Sequence, residues 1–164
     1  MFFVNGRIII HKIELAVFNA AMQPVQNWRL ATPTNDYAGF LQAVVAQVEQ
    51  ADKLCGSSGT VGIALPGVIR SDGTVLSSNV PCLTNQAVAA ALTERLQRPV
   101  AIGNDCRCFA LSEALLGAGK GQRRVFGAIV GTGAGGGFCL DGQLYQGASR
   151  LAGEFGHQGL AAAV

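Results

Sequence analysis

Charge is scarce in this chain of 164 residues: 13% of them are Asp, Glu, Lys or Arg, and the net charge is +2. So small a balance offers little to nucleic acid or to an anionic membrane surface, and neither is expected as a partner. Aromatic residues are few, at 7%, and the pair Phe2-Phe3 is too small for a stacking platform. No apolar run approaches the roughly 18–20 residues needed to span a bilayer. The opening Met1-Phe2-Phe3-Val4-Asn5-Gly6-Arg7 has no basic segment and no small-residue cleavage site, so it does not read as a secretory signal. No internal repeat is present. The five cysteines, at 55, 82, 106, 108 and 139, are odd in number. Cys106-Arg107-Cys108 has no second pair nearby, which argues against a metal site. Reduced thiols, buried or half-buried, in a cytoplasmic protein are the expectation.

What is there suits a compact body: 49% of the residues are hydrophobic, and the length is about one domain's worth on the prior of roughly 100–200 residues per domain. Residues 7–18 and 25–31 read as strands in an antiparallel meander. From Tyr37 to Leu54, Phe40, Leu41, Val44, Val45 and Val48 recur at helical spacing, with Asn35 or Asp36 as cap. Thr60–Leu65 reads as a buried strand, 85–96 as a helix, Pro99–Ile102 as a strand and 105–116 as a helix. Strands at Val125–Val130 and Phe138–Leu140 flank a glycine loop, and Asp141-Gly142 makes a hairpin turn. The pattern predicts a mixed α/β sheet, with a second unit beginning near Arg124.

Four stretches can carry chemistry. GTGAGGG at 131–137 lies between strands. Glycines let backbone N–H groups approach an anion closely, although a tight glycine hairpin that binds nothing has the same composition. It is not a Walker loop, because no Gly-Lys-Ser/Thr follows. Gly103-Asn104-Asp105 follows a strand and opens a helix. Asp105 could accept a proton from a substrate hydroxyl, although a plain helix cap is the commoner role for such a residue. Glu154 and His157, three residues apart, would share a face on a helical turn and could grip vicinal hydroxyls; a first-turn acid and a surface histidine is the bland alternative. Asn79, in the polar loop 77–81, could hydrogen-bond a sugar or serve the turn alone.

Together and in this order, VGIALPGVI at 61–69, GNDCRCFALSEA at 103–114, GTGAGGGFCLDGQLYQGA at 131–148 and AGEFGHQGL at 152–160 resemble the ROK (repressor, open reading frame, kinase) family. The match covers roughly residues 12–160, and the chain looks most like the bacterial N-acetylglucosamine kinases. The resemblance implies an actin-like ATPase fold of the ribonuclease H type. Residues 1–120 would form a sugar-kinase lobe with a mixed five-stranded sheet, and residues 121–164 the beginning of the ATP-side lobe, with the sites in the cleft. It implies ATP-dependent phosphorylation of the 6-hydroxyl of N-acetylglucosamine, with glucose, fructose and N-acetylmannosamine as alternative sugars. Asp105 would be the base. Asn104, Glu154 and His157, with Gly67 and Asn79, would hold the sugar. Gly131, Thr132 and Gly133 would hold ATP phosphates, and Mg2+ would accompany them. A homodimer is the other expected partner.

Three departures qualify that picture. The family opens with Asp, a hydrophobic residue, then Gly-Gly-Thr-Lys. Here Arg7-Ile8-Ile9-Ile10-His11-Lys12 stands in its place, so only the lysine survives. Branched side chains at 9 and 10 would block close approach of backbone to phosphate. His157 in many members also binds zinc with a downstream cysteine cluster. The sequence ends at Val164 before any such cluster, so zinc is not expected. The remainder of the ATP lobe is likewise absent from the sequence. Little or no kinase activity is expected of this stretch alone, and a non-catalytic sugar-binding fragment is the second reading. A ROK transcriptional regulator is the third, set aside because the sugar-domain strands start by about residue 8.

Overall fold

The computed structural model describes every residue except 1, 2, 10, 11, 78, 132, 150 and 157–164. Its described residues divide by contact into two compact units, Met1–Asp105 and Cys106–Val164.

The first unit starts with three antiparallel strands, β1 (Phe3–Ile9), β2 (Lys12–Phe18) and β3 (Pro24–Ala31). The first strand begins four residues before the expected position at Arg7. Val4 and Ile8, both at most 3% exposed, send alternate side chains into the core, so the segment behaves as one half-buried strand. The hairpin pairs Ile9 with Lys12. The helix α1 spans Tyr37–Cys55. The Asp36 carboxylate caps it, accepting from the Gly39 N–H at 3.0 Å, and Gly56 ends it with φ +64°.

The chain then makes β4 (Thr60–Leu65), the short strands β5 (Val68–Ile69) and β6 (Val75–Leu76), and one 3-10 turn at Pro81–Leu83. Helix α2 covers Val88–Leu96 and starts three residues later than the sequence suggested. Asn85 takes φ +64°, and its N–H is tied to the Val75 carbonyl at 2.8 Å, which holds that stretch out of the helix. Strand β7 (Val100–Asn104) completes a five-stranded mixed sheet in the order β3-β2-β1-β4-β7, with β1, β4 and β7 parallel. One face of that sheet, carrying Ile8, Ile13, Leu15, Ile63 and Leu65, packs on Phe40, Val44 and Val48 of α1 and on Val88 and Leu92 of α2. Each such side chain contributes about 1.5–3 kcal/mol by leaving water.

Within this core a small apolar void lies beside Gly6, bordered by Val4, Ile63 and Gln47. A Cβ at Gly6 would meet Ile63 at 3.6 Å, an ordinary van der Waals contact. Glycine inside a strand costs about 0.5–1 kcal/mol relative to alanine. Gly6→Ala is therefore expected to stabilise the chain by about 1 kcal/mol, raising Tm by about 2–4 °C. Thermal unfolding checks it, and a lower Tm would contradict the packing described.

The second unit contains α3 (Asp105–Leu115) from its second residue on, followed by β8 (Arg124–Val130), β9 (Ala134–Leu140) and β10 (Gln143–Tyr145). The three strands form an antiparallel sheet in the order β10-β9-β8. Asp141 and Gly142, with φ +47° and +79°, make the tight turn that their sequence announced.

Here the structure departs from the sequence reading. Most of the glycine run is strand: β9 already includes residues 134–137. The reason is packing. A Cβ at Gly137 would sit 2.8 Å from the Arg107 Cα, one at Gly127 2.8 Å from the Ala110 Cα, and one at Gly135 2.8 Å from the Cys106 Sγ. Without side chains, β8 and β9 let α3 lie directly on them. The compact units divide after Asp105, the first residue of α3, whereas the sequence suggested a lobe boundary near 120.

Candidate functional site

The ends of parallel strands β4 and β7 lie side by side, with Leu65 in register with Asn104. Ligands in open α/β sheets bind outside such carboxyl ends. Three of the residues singled out from the sequence meet there. Asn104 is 6% exposed, and its Nδ2 donates to the Gly67 carbonyl at 2.9 Å and to Asp105 Oδ1 at 3.4 Å. Asp105 is half-buried and opens α3, so the strand end fixes its backbone while its side chain leaves at the helix start.

Gly67 has φ +111°, and a Cβ there would run into the Leu76 carbonyl. It brings the turn after β4 tight against residues 76 and 77. Ser77 is buried and receives the Thr84 hydroxyl on its carbonyl at 2.8 Å, while its own Oγ accepts from the Val80 N–H at 3.2 Å. These bonds anchor the loop that carries Asn79, whose side chain is exposed.

In the second unit the hairpin tip is closed by the Gly131 N–H donating to the Gly133 carbonyl at 2.8 Å. Among the described residues, a Cβ at Gly131 or Gly133 would meet nothing within 4 Å. The Gly131 N–H is spent on the turn. Thr132 and His157 lie outside the described residues.

Glu154 follows a turn in which its N–H donates to the Leu151 carbonyl at 3.1 Å. That turn is strapped to β9 by the Gly136 N–H donating to the Gly153 carbonyl at 2.9 Å. Phe155 packs on Phe126 with ring centroids 5.6 Å apart. Glu154 Oε1 lies 3.8 Å from Arg107 Nη2. Sequence reasoning gave Arg107 no role. Its contacts span 45 residues to Ala152, and nothing local in the sequence marks them.

The cysteines are thiols: Cys139 is buried and the other four half-buried, in keeping with packing roles. Burial pushes the Cys82 thiol up, and the nearby Asp36 carboxylate adds to the shift. It therefore stays protonated, the opposite of what a nucleophilic cysteine needs. Among the described residues no group of three or more His, Cys, Asp or Glu could hold a metal ion, and no helix is long and apolar enough to cross a membrane.

Strand β1 does not suit a divalent cation at Arg7. Arg7, at the place where the resemblance implies a metal-associated carboxylate, is exposed on β1. It stands in register with Glu14, which pairs with Arg29 at 2.7 Å. A guanidinium has no lone pair to offer Mg2+.

A family model described as the ROK family matches residues 7–163. The chain is 61% identical over 153 residues to N-acetylgalactosamine kinase AgaK of Shewanella sp. (strain ANA-3), covering 93% of this chain and 50% of that protein. It is 45% identical over 150 residues to N-acetyl-D-glucosamine kinase of Erwinia tasmaniensis, covering 91% of this chain and 50% of the relative. Its fold matches a crystal structure of a ROK family glucokinase from Streptomyces griseus in complex with glucose and AMPPNP. The TM-score is 0.86 at 27% identity, over 98% of this chain and 51% of that one. The chain thus spans about half the length of the curated relatives it matches.

Proposed function

This chain belongs to the ROK family, and on that premise we propose that it supplies the sugar-holding and proton-accepting residues for ATP-dependent phosphorylation of an N-acetylhexosamine at its 6-hydroxyl. The observation that carries the reading is the joined set of Gly67, Asn104 and Asp105 at the strand ends, where a buried amide fixes the backbone beside a half-buried carboxylate. Asn104 and Glu154 hold ring hydroxyls, with His157, Gly67 and Asn79 as further contacts. The Asp105 carboxylate accepts the proton of the 6-hydroxyl as its oxygen bonds to the terminal phosphorus of ATP and ADP departs. The Gly131–Gly133 tip lies against phosphate oxygens. Residues 121–164 then belong to the ATP side, in a cytoplasmic protein.

The two named relatives act on sugars that differ only in the orientation of the hydroxyl at carbon 4. The stronger likeness is to the N-acetylgalactosamine kinase, so that sugar joins N-acetylglucosamine as an expected substrate. Magnesium enters no step here, because Arg7 does not fit it. That same misfit favours the second reading, a chain that holds sugar without transferring phosphate.

Calorimetric titration with each N-acetylhexosamine tests the proposal. One saturable site is expected, and Glu154→Ala is expected to weaken it at least about tenfold, the loss of a hydrogen bond to a charged group. Absence of binding by the unaltered chain overturns the reading.

A further inference from the structure

Arg107 is the third residue of α3, on the face that the glycines of β9 admit most closely. Because Gly137 has no side chain, the helix backbone lies on the strand. The Arg107 side chain runs, only 11% exposed, toward the turn at 151–154. Its Nη2 is 3.5 Å from the Ala152 carbonyl and 3.8 Å from Glu154 Oε1. The Glu154 side chain is 25% exposed. One guanidinium thus touches both the backbone of the turn and the carboxylate that the turn presents. At that separation from Oε1 the cation attracts the carboxylate by charge. On the other side, β9 grips the same turn through Gly136 and Gly153.

We propose that Arg107 is the positioning residue for Glu154: it sets the place of the carboxylate by charge and the place of the turn by the Ala152 carbonyl. The inference rests on the sugar-holding role of Glu154 given above. It extends that role to a residue which itself touches no sugar.

The test is a double-mutant cycle read by sugar titration of the full chain, using Arg107→Met, Glu154→Ala and the pair together. Arg107→Met is expected to weaken binding about tenfold when Glu154 is present and to have no further effect in the Glu154→Ala chain. Arg107→Lys, which keeps the charge and loses the planar fork, is expected to fall between. It also serves as the variant that decides the matter if Arg107→Met does not fold. Equal losses from Arg107→Met in both backgrounds, or an Arg107→Lys chain as weak as Glu154→Ala, would overturn the positioning role. If Glu154→Ala itself binds sugar as well as the parent, the reading of the site fails first, and that result is distinguishable from a failure of Arg107 alone.

Discussion

Asp105→Asn is expected to lower the rate of phosphoryl transfer from ATP to an N-acetylhexosamine by about 10^2–10^4-fold while changing sugar affinity by less than about threefold, under half of what one lost charged hydrogen bond costs. The asymmetry follows from what the change removes. Asparagine keeps the shape and the hydrogen-bonding reach of the carboxylate, so a ground-state contact to the sugar survives. It cannot take a proton, so the hydroxyl oxygen must attack while still protonated. The neighbouring Asn104 amide already donates to Asp105 Oδ1 at 3.4 Å and to Gly67 at 2.9 Å, and both contacts persist with an amide oxygen at position 105. The parent rate itself is expected to be low, because Arg7 stands where a metal-associated carboxylate would be needed. Turnover is therefore followed by a radioactive transfer assay, with affinity measured by titration. Equal rates for parent and variant would remove Asp105 from the chemistry.

Gly153→Ala is expected to destabilise the chain by about 2–6 kcal/mol, and to abolish sugar binding with it. Two costs add. The residue has φ +96°, which an L side chain adopts at a cost of about 1–3 kcal/mol, and the new methyl would occupy the place of the Gly136 carbonyl, an overpacking of about 1–3 kcal/mol. Relief would require breaking the 2.9 Å bond from the Gly136 N–H to the Gly153 carbonyl, the strap that places Glu154. Urea unfolding of parent and variant measures the loss. A variant as stable as the parent would show that the turn is not held against β9.

Much of this could be read from the residues in order. Phe40, Val44 and Val48 announced α1, with Asn35 or Asp36 as its cap, and the structure uses Asp36. The short apolar run 60–65 announced a strand buried inside a sheet. Asp141-Gly142 announced its own turn. These features are legible because they are local: side-chain period, capping chemistry and turn geometry act within a few residues. The family motifs raised Asn104, Asp105 and Glu154 above the plainer roles of cap and surface polar group, which composition and spacing alone favoured.

What escaped depends on contacts distant in sequence. Glycines at 135, 136 and 137 read as loop because glycine is a poor strand former, yet they are strand because α3 needs the room. Helix α2 starts late because Asn85 is pinned to Val75, a tie between segments that periodicity cannot register. Arg107 looked like any charge between two cysteines. Its meaning comes from a turn 45 residues further on.

Everything proposed for this site requires Asp105 to face the sugar hydroxyl that reacts. A crystal structure of this chain with bound N-acetylglucosamine or N-acetylgalactosamine tests it most directly. The 6-hydroxyl oxygen is expected within about 2.6–3.2 Å of an Asp105 carboxylate oxygen, with ring hydroxyls on Asn104 and Glu154. A sugar bound elsewhere, or bound with its 6-hydroxyl turned away from Asp105, would contradict it.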